Sequence, residues 1–332
     1  MTAPIKSNTL GFNVFTAPGK VMVSERPKPF GQALGFDPIT STLIFGEYDA
    51  VLVDAMMTVA EAEALADWVA LHNRNLETIY ITHGHFDHFY GLSVLLDRFS
   101  GARAIATPKT VNAMQMSFSP PVERLARRLF PGQVPTKLVA PEPYGHDTFT
   151  LEGHELRIIE QGHTDSADTT SLHVPSIGLI VAGDVVYNEC HMYVGDTTPE
   201  NRKNWVAALD GLATLKPAIV VAGHKKPGAP DSPSAIQDTK RYLLDFDRLQ
   251  QTTASDEELF NQMTEPGDDD YNRNIQIADL NALNAALAVI KWKKLFGFYR
   301  DLKFEHHSQF SIDTNLLLNE DRPNEAGNPP QA

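Results

Sequence analysis

The segment THGHFDHFYG, Thr82 to Gly91, sets His83, His85, Asp87 and His88 within six residues, directly behind the apolar run Thr78 to Ile81. A loop at a strand end can turn all four side chains to one side. Imidazole and carboxylate together suit zinc, with iron or manganese as alternatives, and the short spacing lets alternate side chains reach two neighbouring ions. Three isolated candidates follow further along: Gly162-His163 after Leu156 to Ile159, Gly183-Asp184 after LIVA, and Gly223-His224 after IVVA. In each the preceding glycine permits a tight turn and close backbone approach. A lone histidine at a strand end is ordinarily a satisfied core or surface group, but three such events in series with the first cluster are not explained that way.

The elements that must carry these residues follow from the hydrophobic pattern. Strands are expected at Ser41 to Phe45, Ala50 to Val53, Thr78 to Ile81, Ala104 to Ala106, Leu156 to Ile159, Ser171 to Val174, Leu179 to Ala182 and Ile219 to Ala222. Between the second and third, Thr58 and Glu61 form a capping box, and Ala62, Leu65, Val69 and His72 recur at helical spacing. Strands alternating with helices are the signature of an α/β protein. Met114 to Tyr144 is rich in proline and reads as an insertion over one face, with a short helix around Val122 to Leu129. The expected organisation is a catalytic domain over 1–231 with that insertion at about 114–144. A helical extension follows over 232–318, including Leu280 to Phe296, and then a disordered tail at 319–332 rich in Asn, Pro and Glu.

Composition narrows the partners. A formal charge of −14 and a pI near 5.3 argue against a nucleic-acid groove, since phosphate binding needs clustered Lys and Arg, and against an anionic membrane surface. MTAPIKSNTLGF lacks the charged and apolar regions of an export signal, and no stretch approaches the roughly 20 apolar residues of a membrane span. The single cysteine, Cys190, has no partner within the chain, so a reducing cytoplasm is the expected location. A small-molecule substrate is the expected partner, and a homodimer is compatible with the helical extension.

His-x-His-x-Asp-His followed in order by Gly-His, Gly-Asp and Gly-His resembles the metallo-β-lactamase superfamily, over about Ser41 to His224. The resemblance implies an αβ/βα sandwich, two mixed β-sheets flanked by helices, with the metals at one sandwich edge. It implies that His83, His85 and His163 hold a first metal, that Asp87, His88 and His224 hold a second, and that Asp184 bridges the two. Asp54, closing the strand AVLVD, matches the early Asp that the family places beneath the metal loop. His85 stands where flavin-linked oxygen reductases of the superfamily carry an acidic residue, which disfavours that redox branch. The expected cofactors are two divalent ions per chain, zinc first, with iron or manganese as alternatives.

Two such ions lower the pKa of a shared water from 15.7 to about 7, so a hydroxide is available to attack a carbonyl without Ser or Cys. The expected function is therefore a dinuclear metal-dependent hydrolase of a small lactone, lactam or ester. Asp87 is expected to orient the nucleophile as well as to ligate. Tyr187, three residues after Asp184, matches the offset at which acyl-homoserine lactonases of this superfamily place a tyrosine, and is the expected proton donor to the leaving group; packing over the ligand loop accounts for it equally well. His191 is a weaker alternate. Phe86 and Phe89, trapped within the ligand loop, are expected to line a substrate pocket, while Met56, Met57, Met114 and Met116 read more simply as core. Lys225 and Lys226 sit beside His224 by covalent necessity, to bind a carboxylate or to offset acidic surroundings. Rival readings are a glyoxalase-type thioester hydrolase, an iron-dependent sulfur dioxygenase of the same fold, and a metal-stabilised binding protein without activity. A purely structural zinc site closes with four ligands, which counts against the last.

Overall fold

The computed structural model describes residues 9–23, 35–190 and 192–252, together with the backbone of two short strands near the C-terminus. The first part of the chain supplies β1 (Gly11–Ala17), β2 (Lys20–Val21), β3 (Gly35–Phe36), β4 (Ile39–Phe45), β5 (Asp49–Val53), β6 (Asn75–Tyr80), β7 (Arg103–Ala106) and β8 (Glu142–Pro143). The second supplies β9 (Thr148–Leu151), β10 (His154–Gly162), β11 (Thr169–Val174), β12 (Leu179–Asn188) and β13 (Ile219–Lys225). The larger helices are α1 (Val59–Leu71), α2 (Phe86–Phe89), α3 (Leu92–Arg98), α4 (Pro108–Ala113), α5 (Pro120–Leu129), α6 (Pro199–Thr214) and α7 (Ser234–Thr252).

Hydrogen bonding runs through the order β8-β7-β6-β5-β4-β13-β12-β11-β10-β9, with β1 also paired to β4. This path is two mixed sheets folded face to face. Side chains alternate along a strand, so each sheet has two faces. Ile44, Val51, Val53, Tyr80 and Ile105 of the first sheet share one core with Leu156, Leu172, Leu179, Val181 and Val221 of the second. Their neighbours Leu43, Leu52, Ile79 and Ala104 point the other way, under α1 and α3. Ile180, Ala182, Val220 and Ala222 likewise pack under Trp205, Leu209 and Leu212 of α6 and Ile236 and Leu243 of α7. The result is the four-layer αβ/βα sandwich expected from the sequence. Only the pair His224↔Ile39 joins β13 to β4, so the two sheets meet at a single corner. Thr40 Oγ1 reinforces it, donating to the Ala222 carbonyl at 2.6 Å.

Local chemistry explains the elements nearest that corner. Thr58 and Glu61 form the expected capping box at the start of α1, whose buried face is Ala62, Leu65, Ala66 and Val69. The turn before β5 is tied down by Glu152, whose carboxylate accepts from the backbone N–H groups of Glu47, Tyr48 and Asp49. The proline-rich segment packs on the outer face of the first sheet, where Met114, Ala126, Phe130 and Val134 are buried. It also grips the ligand loop: Ser117 Oγ donates to the Gly84 carbonyl at 2.6 Å, and Tyr90 Oη donates to the Ser117 carbonyl.

Three expectations change. β12 and β13 do not stop short of their ligands, because register shifts between β12 and β13 let both strands run on past Asp184 and His224. Met116 is exposed and not core, whereas Met56, Met57 and Met114 are buried. The span expected to be a helical extension contains α7 but also the antiparallel pair β14 (Ser308–Ser311) and β15 (Leu316–Asn319). The helix expected over Leu280 to Phe296, the tail beyond Asn319 and His191 lie outside the described residues. Among the described residues no helix is long and apolar enough to cross a membrane.

Candidate metal centre

The ligand loop begins where β6 ends, and Asp54 holds it from below. Asp54 sits at φ +64, a left-handed conformation that Asp tolerates better than most residues. That twist brings its carboxylate under the loop, where Oδ1 accepts from the Thr82 N–H at 2.9 Å and Oδ2 accepts from Thr82 Oγ1 at 2.9 Å. Oδ2 also lies 3.0 Å from His88 Nδ1. The one-turn helix α2 then carries Asp87 and His88 inward.

Two groups of donors result. His83, His85, Asp165 and Asp184 offer ligand atoms within 4.8 Å of one another, and so do Asp87, His88 and His224. Asp184 lies against both groups: Oδ2 is 3.7 Å from His83 Nε2 and 3.2 Å from His224 Nε2, and Oδ1 is 3.2 Å from His88 Nε2. Asp87 Oδ2 lies 3.2 Å from His224 Nε2 and 3.4 Å from His88 Nε2. The rings are fixed through their far nitrogens. His88 Nδ1 meets Asp54, His224 Nδ1 meets the Pro38 carbonyl at 2.9 Å, and His83 Nδ1 meets Thr82 Oγ1 at 3.0 Å. Such outer contacts set ring orientation and leave Nε2 free as a ligand atom.

That these residues fit a metal is visible in what they leave unmade. Among the described residues, eight buried side-chain N or O atoms make no hydrogen bond; four of them, His83 Nε2, His88 Nε2, Asp165 Oδ2 and Asp184 Oδ1, converge here. Buried polar atoms are rarely abandoned, and a cluster of them facing one point marks a place for a cation. Electrostatics agrees. Burial opposes charge on His224, yet Asp184 and Asp87 outweigh it and raise its pKa to about 10. His88 is raised well above its usual range against the same burial, chiefly by Asp184 and Asp87. Burial works against the Asp184 carboxylate as well, but His224, His88 and His83 hold its pKa well below normal. The carboxylates thus collect positive charge, which protons supply and metal ions can replace.

The other expected residues divide. His163 joins neither group: its ring is half-buried, and its Nε2 meets the Asp196 carbonyl at 3.0 Å. It lines a groove of about 920 Å³ between β10 and α6 together with Arg157, Glu160 and His173. Tyr187 is in place. Its hydroxyl donates to Asp184 Oδ2 at 2.9 Å, and its ring stacks on His224 with centroids 5.4 Å apart. Burial, then Asp184, raises its pKa far above the usual phenol, so it keeps its proton at neutral pH. Phe86 is half-buried beside Phe36, whose ring lies 6.3 Å from His224. Phe89 is not a pocket residue; it is fully buried in the first-sheet core against Tyr90 and Phe118, because α2 turns it away from the donors. Lys225 and Lys226 are paired with Asp231 and Glu189.

Sequence reasoning missed Asp165, Asp196 and Phe36. Asp165 had a signal only in its type and place, a carboxylate two residues beyond His163. Phe36 and Asp196 had none, since only the folded chain brings 36 and 196 to the ligand loop.

Known proteins place this architecture. A metallo-β-lactamase family protein from Thermus thermophilus superimposes with a TM-score of 0.55 at 19% identity, covering 86% of this chain and 94% of that one. A metallo-β-lactamase from Pontibacter korlensis gives 0.52 at 19% identity, covering 73% and 97%. One from Pseudomonas aeruginosa in its mono-zinc form gives 0.50 at 13% identity, covering 73% and 98%. At these identities the likeness concerns the fold alone. No curated protein matches the sequence. The model of the metallo-β-lactamase superfamily matches residues 34–224, more than half the chain and a span that ends on the last of the clustered histidines, so this protein belongs to that superfamily.

Proposed function

We propose that this protein is a dinuclear metal-dependent hydrolase of small, partly apolar lactones, lactams or esters. The observation that carries the reading is the convergence of unpaired buried donor atoms from both groups around the one carboxylate of Asp184. His83, His85 and Asp184 would hold a first ion; Asp87, His88 and His224 would hold a second, with Asp184 shared. Zinc suits this set, and iron or manganese are the alternatives. When bound, such ions supply an acidified water and a Lewis acid for the carbonyl oxygen.

The protein's own groups account for the rest. Asp87, buried and short of hydrogen-bond donors other than imidazole, can accept a hydrogen bond from a nearby water and fix its direction. Tyr187 carries a proton it does not release to solvent, 2.9 Å from Asp184, and is the donor for a departing alkoxide. Phe86 and Phe36 form an apolar wall beside His224 that favours a hydrocarbon substituent. The test is a panel of unactivated lactone, lactam, aryl ester and thioester, with oxygen uptake on a persulfide, run on chelated and metal-restored protein. Hydrolysis of an oxygen ester or amide that depends on restored metal is expected. Thioester turnover alone, or oxygen uptake with iron, would replace the reading with its relatives.

A further inference from the structure

The segment between β10 and β11 departs from the ligand set that the sequence implies. The two strands pair antiparallel, but their register breaks between Glu160 and Gly162, and Gly162 sits at φ +72. Past that break His163 is turned to the loop ahead of α6, donating through Nε2 to the Asp196 carbonyl. Asp165 points the other way and is fully buried. Its Oδ1 accepts from Thr164 Oγ1 at 2.9 Å. Its Oδ2 lies 2.8 Å from His85 Nδ1 and 3.6 Å from His83 Nε2, yet makes no hydrogen bond. This buried carboxylate oxygen belongs with His83, His85 and Asp184 to one group whose ligand atoms all lie within 4.8 Å of one another. A buried carboxylate is costly without positive charge beside it, and a cation held among these atoms would supply that charge.

We propose that Asp165, and not His163, completes the first metal position, and that His163 instead positions the Asp196 loop. This rests on the two-metal reading above. The first position then has two imidazoles and two carboxylates in place of three imidazoles and one. It is the harder donor set and carries one more negative charge, which makes it more accepting of manganese or iron than a three-histidine position.

The test is zinc content at fixed, chelator-buffered free zinc for the wild type, His163→Ala and Asp165→Asn. His163→Ala is expected to keep both ions with affinities within about threefold, because it removes no ligand. Asp165→Asn is expected to lose one of the two, with affinity falling by more than the roughly hundredfold assigned to an outer partner. A cobalt-substituted His163→Ala sample guards against an Asp165 variant that fails to fold: its visible absorption should match the wild type. Loss of an ion or an altered cobalt spectrum in folded His163→Ala overturns the assignment, and so does Asp165→Asn with both ions at unchanged affinity. A wild type that binds no ion overturns the functional reading as well, which separates the two failures.

Discussion

The second donor group is built into the core, and the first is built across a gap. His88 and His224 are anchored through Nδ1 to Asp54 and to the Pro38 carbonyl, and neither exposes more than a few per cent of its surface. In the first group His83 is equally buried, but the His85 side chain is 21% exposed and faces Asp196, itself 41% exposed, across 3.8 Å. The His85 side is therefore the side of the pair open to solvent. The fold divides the two accordingly: strand ends and a one-turn helix bury the second group entirely, and the first is left partly open at His85.

The largest expected effects come from changes that strike both groups at once. A Cβ at position 223 would lie 2.0 Å from Asp184 Oδ1 and 2.7 Å from the Gly183 carbonyl carbon. Gly223→Ala must therefore displace the shared carboxylate or its strand, and Asp184→Ala removes the carboxylate outright. Both should lower turnover by more than the roughly hundredfold expected for an outer partner, with metal lost from both positions. Steady-state kinetics with metal analysis on the same samples checks this; Gly223→Ala with normal activity would show that the two groups are not held in common.

Asp54→Ala should act mainly on the second group. It strips His88 of its Nδ1 partner and leaves two buried Thr82 donors unpaired, so one ion should bind about 10- to 100-fold more weakly. Stability should fall by about 1–3 kcal/mol for the stranded donors. Asp54→Asn should be milder, since Asn also tolerates φ +64. Urea unfolding and competitive chelation of the two variants distinguish them.

Tyr187→Phe tests chemistry with the donor groups intact. The change removes one hydroxyl and little volume, so fold and metal content should persist. Turnover of an unactivated lactone or ester should fall by about 10²- to 10⁴-fold. An aryl ester, whose phenolate leaves without protonation, should be nearly unaffected. Equal rates on the unactivated substrate would remove Tyr187 from the mechanism.

The smallest expected effect is on pH dependence. The pKa of His224 in the folded, metal-free protein, about 10, lies above its usual value, so the stability its proton confers is complete below about pH 6.5 and is lost as pH rises toward 10. Bound metal replaces that proton. The gap in melting temperature between metal-loaded and metal-free protein should therefore widen across this window, and a constant gap would separate metal binding from the histidine protons.

How much of this was legible depended on how local the signal was. The ligand loop, the capping box at Thr58 and the buried strands were readable because a few neighbouring residues specify each. β1 was not assigned from sequence, since Gly11–Ala17 is only half-buried and lacks a clean alternation. The corner at His224↔Ile39, the inward turn of Asp165 and the burial of Phe89 depend on register and packing between segments far apart in the chain. The resemblance implies His163 as a ligand; past the register break at Gly162 its Nε2 meets the Asp196 carbonyl, and no local rule foretells such a break.

The most direct measurement is calorimetric titration of chelator-stripped protein with zinc, read beside the activity recovered at each addition. Two equivalents per chain are expected, with full turnover only after the second. Full activity at one reproducible equivalent, with no further binding, would contradict the dinuclear account.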